Sequence, residues 1–114
     1  MIAVIFEVEP HATQRTDYFR IAAALRPLLE DIDGFISMER FQSLSDDARI
    51  LSLSFWRDEA AVAQWRTMEA HRAAQTEGRA AIFNNYRLRI AHVVRDYGMS
   101  ERGEAPEDSR NAHD

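Results

Sequence analysis

Trp65, His71, Gln75 and Tyr86 are the side chains of this sequence best suited to handling a small organic molecule. His71 and Gln75 stand four residues apart, so a helix carries them on one face, one turn from each other. An imidazole titrates near neutral pH and can take a proton from a phenol or a quinol. The same histidine can equally serve a helix by hydrogen-bonding its backbone. Tyr86 offers a phenol where a helix gives way to a strand, and turn chemistry accounts for Asn84 and Asn85 just before it. Trp65 reads either as a large core anchor or as a flat wall for an aromatic ligand. Met68 and Phe83 would complete an apolar lining. The face His71, Ala74, Gln75, Gly78, Ile82 is small and apolar apart from its two polar groups. It fits a pocket with a few oriented polar contacts, or close helix-to-sheet packing with no pocket. His71 and Tyr86 are thus candidate catalytic groups, and Trp65, Met68, Gln75 and Phe83 candidate substrate contacts.

Other chemistries lack their residues. The 114 residues contain no cysteine, so disulfides, thiolate metal sites and cysteine nucleophiles are excluded. Every basic residue besides histidine is arginine, which removes Schiff-base and Walker-lysine chemistry. Four glycines cannot build a dinucleotide loop. No two-histidine, one-carboxylate spacing falls on one element, so no metal site is expected. A net charge of −5 argues against a nucleic-acid partner. No apolar run reaches the roughly 18–20 residues of a membrane span. The N-terminal Met1–Phe6 has no basic n-region and meets Glu7 at once, so it does not read as a signal peptide. These features describe an acidic protein of the cytoplasm, away from membranes.

The elements that must position the site follow from periodicity. Ile2–Val8 alternates as a strand. Thr16-Asp17 opens a helix that runs to Ile32, with a kink or break expected at Pro27. Phe35–Leu44 and Ile50–Trp56 alternate as paired strands across a turn at Ser45-Asp46-Asp47. Asp58 caps a helix through Val62 and Trp65, and a longer alanine-rich helix is expected over Glu69–Phe83. Tyr86–Tyr97 alternates again. Strand, helix, strand, strand, helix, strand is the split βαβ order of the ferredoxin-like α+β fold, an antiparallel sheet with helices on one side. Residues 1–97 form this domain. Residues 98–114 carry five acids, two arginines and Met99 as the sole large apolar side chain. Such a tail is expected to stay flexible unless a neighbour captures it.

The strands carry apolar residues on both faces, and two helices cover only one. The exposed remainder is close to the largest patch a monomer tolerates. A second copy packed across a two-fold axis covers it most simply, so a homodimer is expected.

Three stretches carry a resemblance: Pro27–Phe35 with its Gly34-Phe35 strand start, Phe55–Arg66 with Trp56 and Trp65, and Glu69–Gln75 followed by Tyr86. Together they resemble the antibiotic biosynthesis monooxygenase family over about residues 2–97. The resemblance implies a dimeric α+β barrel with a small apolar pocket in each subunit between sheet and helices. It also implies a monooxygenase that works without flavin, nicotinamide or metal, on an electron-rich quinol, naphthol or anthrone that itself activates oxygen. The heme-degrading branch of this fold is the alternative. Trp65 falls on that branch's pocket tryptophan, but its iron-ligating histidine aligns with Gln75 and its first-strand asparagine near Glu7. Gln75 is a poor iron ligand, although His71 lies one turn away. A non-enzymatic dimeric ligand-binding or stress-associated module is the third reading.

Overall fold

Alternation along the first residues produces β1 (Ile2–Pro10), and a 3-10 turn at Ala12–Gln14 leads into α1 (Arg15–Glu30). There follow β2 (Phe35–Gln42), β3 (Ile50–Trp56), α2 (Glu59–Gln75), β4 (Phe83–His92) and α3 (Glu107–His113). The computed structural model describes the backbone of residues 1–75 and 82–114 and the side chains of residues 1–69 and 82–114. The strands form one antiparallel sheet in the order β2-β3-β1-β4. This is the ferredoxin-like α+β arrangement the element order implies.

Three expectations are corrected, and a fourth is narrowed. Of the kink or break expected at Pro27, the break does not occur, since α1 runs through it. Proline removes the partner of the Ala23 carbonyl, and Ala23 is exposed, so water can take the place of the lost hydrogen bond. Trp65 and Glu69 lie on one continuous helix instead of two. Phe83 opens β4, where the alanine-rich pattern suggests a helix end. The strand stops at His92, five residues short of Tyr97, although the backbone N–H of Val93 still reaches the Met1 carbonyl at 3.0 Å.

Residues 98–114 carry structure of their own. Arg102 lies 5.3 Å from the Tyr97 ring and bonds to Asp114, Ser109 and the Gly98 carbonyl. Arg110 caps the Ala105 carbonyl at 2.9 Å, and Ala105 is buried. Local arginine hydrogen bonds therefore order what apolar burial does not.

Strand register sorts the sheet into two sides. On the helix side, four cross-strand rows run from β2 to β4. They are Phe35–Trp56–Ile2–His92, Met38–Ser54–Val4–Ile90, Arg40–Ser52–Phe6–Leu88 and Gln42–Ile50–Val8–Tyr86. Two core clusters close the ends. Ile2, Trp56 and Met38 pack with Leu29 and Ile32 beside α1 and Ala61 and Val62 of α2. Val8 and Ile50 pack with Tyr18 and Ile82. Trp56 is 0% exposed, and its indole N–H donates to Ser54 Oγ at 2.9 Å.

The turn from α1 into β2 needs Gly34. Its φ of +96° is costly for a side chain, and a Cβ there would stand 2.8 Å from Ala61 Cβ. Close approach at this point seats the start of α2 on the sheet. Asp58 then caps that start, accepting the Ala61 N–H at 2.9 Å. This hydrogen bond, and then Arg57, hold the Asp58 carboxyl below its ordinary range. Arg57 also bonds both oxygens of Asp33 at 3.1 and 3.3 Å, tying the helix start to the preceding turn.

Candidate functional site

Between the two closed clusters lies a row that is not closed. Arg40, Ser52 and Phe6 are half-buried, and Leu88 is 50% exposed. Its neighbours on β4, Tyr86 and Ile90, are 60% and 43% exposed. The buried stripe of α1 passes from Tyr18 to Leu29 by way of Ala22, a side chain too small to fill the space over the middle of the sheet. The central strand β3 contributes Ser52 and Ser54 to this side, again small residues. Among the described residues, these small side chains above and below leave a partly open strip, or groove, across the sheet. Phe6, Leu88 and Ile90 give it an apolar floor.

Phe83 and Tyr86 form one wall. Phe6 meets Phe83 at 6.0 Å and Tyr86 at 5.7 Å, both edge-to-face, and Tyr18 meets Phe83 at 6.0 Å. Trp65 and Met68 stand on the other side, packed against the cluster around Trp56. The structure thus packs Trp65 and Met68 against the Trp56 cluster, and Phe83 and Tyr86 against Phe6. His71 and Gln75 occupy the last turns of α2, three and seven residues beyond Met68. Their side chains lie outside the described residues, so the expectation that His71 shares a cavity with Trp65 and Tyr86 is not addressed by them. A cavity of about 390 Å³ opens at the β2 edge of the sheet, lined from the helix side by Arg26 and Met38 and from the other side by Ser37, Glu39, Phe41, Leu53 and Phe55.

Charge divides cleanly between the two sides of the strands. Glu7, Glu9, Glu39, Arg87 and Arg89 all point away from the helices, and Glu7 pairs with Arg89 at 3.3 Å. On the helix side the described strands carry one permanent charge, Arg40. An apolar groove with few polar groups is the ordinary composition of a small-molecule site. Sequence reasoning missed Phe6, Ser52, Arg40 and Leu88 as site residues. The signal was present in Ser52 and Ser54, two small polar residues on one face of an otherwise apolar central strand.

The sheet and the helices on one side of it define a ferredoxin-like α+β protein, and comparison with known proteins sharpens that class. A family model described as antibiotic biosynthesis monooxygenase matches residues 1–77. The chain is 46% identical over 101 residues to the jasmonate monooxygenase ABM of Pyricularia oryzae, covering 89% of this chain and 47% of that protein. It is 31% identical over 93 residues to YqjZ of Bacillus subtilis, covering 82% of this chain and 79% of that one. The chain belongs to the antibiotic biosynthesis monooxygenase family. It spans about half the length of the fungal relative. Among solved structures, the heme-degrader MhuD from Mycobacterium tuberculosis, with two hemes in its active site, superposes with a TM-score of 0.65 at 21% identity. That superposition covers 86% of this chain and 100% of that one, and establishes a shared fold.

Proposed function

We propose that this chain is a monooxygenase of small aromatic molecules such as quinols, naphthols or anthrones, held in the groove over Phe6, Leu88 and Ile90. The observation that carries the reading is that groove. It is aromatic and aliphatic, lies open between two closed cores, and keeps every carboxylate of the described strands on the other side of the sheet. The similarity to a protein named jasmonate monooxygenase supports oxygenation of a small organic substrate.

In this reading the substrate supplies the electrons. A base removes a proton from an acidic C–H or O–H, and the resulting anion passes one electron to oxygen. Superoxide and the substrate radical then join at carbon. Loss of water from that hydroperoxide leaves a carbonyl, so a CH₂ and O₂ become C=O and H₂O. His71 is assigned the base and Tyr86 a hydrogen bond to the developing oxyanion. Trp65, Met68, Gln75 and Phe83 hold the ring. Proton transfer from a positioned base is typically worth about 10²–10⁴ in rate. A second copy is proposed to cover the opposite side of the sheet, over Ile5, Leu51, Leu53 and Phe55.

Oxygen uptake with a panel of quinols and anthrones tests the activity. His71→Ala should lower turnover at least about tenfold while Trp65→Phe acts mainly on KM. A sharp Soret band at one heme per chain, lost in His71→Ala, would replace this reading with the heme-degrading one. Ligand binding without oxygen uptake across the panel would favour the non-enzymatic module.

A further inference from the structure

The groove is apolar at β4 but ends differently at β2. Arg40 stands in register with Ser52, Phe6 and Leu88, so one row crosses from a guanidinium to an aliphatic floor. Neighbouring strands are about 4.8 Å apart, which puts the Arg40 and Phe6 backbones about 10 Å from each other. The Arg40 side chain is half-buried, and its recorded partner is a phenol: Nε donates to Tyr18 Oη at 3.4 Å, with the guanidinium 5.9 Å from that ring. A guanidinium carries five N–H donors, and among the described residues Tyr18 takes one of them.

The other half-buried arginines of the described residues are occupied. Arg15 donates to the Asp47 carbonyl and to Gln42, and Arg102 to Asp114, Ser109 and the Gly98 carbonyl. Among the described residues, no carboxylate lies within ion-pair distance of Arg40. Its sheet neighbours on the helix side are Met38, Gln42, Ser52 and Ser54. Ser52 is half-buried in the next strand, in register with Arg40 and on its side of the sheet. In a chain of net charge −5, an uncompensated cation at the end of an apolar groove is an uncommon placement. Tyr18 links the two parts, since its hydroxyl meets Arg40 and its ring meets Phe83.

We propose that Arg40 and Ser52 form an anion subsite, which selects substrates bearing a carboxylate a few ångströms from the ring that lies over Phe6 and Leu88. This rests on the reading of the groove as the substrate site. Arg40 would take the carboxylate in a two-pronged hydrogen bond, Ser52 would donate a third, and the bond would fix the ring's position along the row.

The test uses two ligands that differ in charge alone, 1-naphthaleneacetic acid and its neutral amide, titrated calorimetrically against the full chain. The acid should bind at least about tenfold more tightly than the amide, as expected of a charge-assisted pair. Arg40→Met should abolish that preference while leaving the affinity for the amide within about twofold, which also shows that the variant folds. Arg40→Lys, which keeps the charge but loses the planar fork, should retain part of the preference. A preference for the acid that survives intact in Arg40→Met overturns the subsite and leaves the groove standing. Equal binding of acid and amide by the unaltered chain overturns it as well. Binding of neither ligand overturns the groove reading and the subsite with it.

Discussion

Two rows of the same sheet, each crossing all four strands and lying on the same side, meet opposite fates. In the row through Trp56 and Ile2, both residues are buried, α2 begins directly above, and the indole N–H is satisfied by Ser54. In the row through Ser52 and Phe6, four residues further along each strand, no residue is buried. Both rows are paired antiparallel, the first beside a β-bulge between Phe35 and Ser37. What differs is the size of the side chains above and below. Ile32, Ala61 and Val62 fill the first row, whereas α1 brings Ala22 over the middle of the sheet and β3 brings serines. A closed row contributes stability, and an open one leaves room for a ligand.

The largest effect that sharpens this contrast is Trp56→Ala. Truncating a fully buried tryptophan should cost about 3–5 kcal/mol, read as the shift in a chemical denaturation midpoint at unchanged slope. Gly34→Ala follows at about 1–3 kcal/mol, since it forces a side chain into a left-handed backbone and against Ala61. Leu88→Ala should cost under about 1 kcal/mol, because half of the residue already faces solvent. That variant should nevertheless weaken binding of the aromatic ligand. A Leu88→Ala variant as unstable as Trp56→Ala would erase the distinction between the rows.

The smallest effect is on acid stability. The Asp58 carboxyl lies below its ordinary range, first through the Ala61 N–H and then through Arg57. Its contribution is therefore present above about pH 4, where the unfolded carboxyl is already ionised, and is lost as pH falls through the lower folded value. Asp58→Asn should flatten the stability curve below about pH 4, with little change in the row through Phe6.

Much of the fold was legible because burial repeats with a period. Ile2–Val8 and Ile50–Trp56 alternate, and the register that pairs them follows from the same alternation. Pro27 misled because an exposed carbonyl can exchange its helical partner for water, which sequence spacing does not reveal. Phe83 misled because alanine favours a helix while tertiary packing against Phe6 and Tyr18 draws this residue into a strand. Trp65, Met68, Phe83 and Tyr86 stand out by residue type, being large and apolar or aromatic, and the proposed site takes its flanks from them. The floor does not stand out in this way. Phe6 and Leu88 look like any core residue until register and exposure show that, among the described residues, their row is left unburied. Arg40 looks like any surface arginine until every carboxylate of its strands is found on the opposite side.

The central claim is that a ligand lies over the open row. Nuclear Overhauser contacts from the ring protons of 2-naphthol to a methyl-labelled sample test it most directly. Contacts to the methyls of Leu88, Ile90 and Val4, with none to Leu51 or Leu53, are the predicted result. Contacts to Leu51 and Leu53 in place of Leu88 and Ile90 would put the ligand on the other side of the sheet and contradict the account.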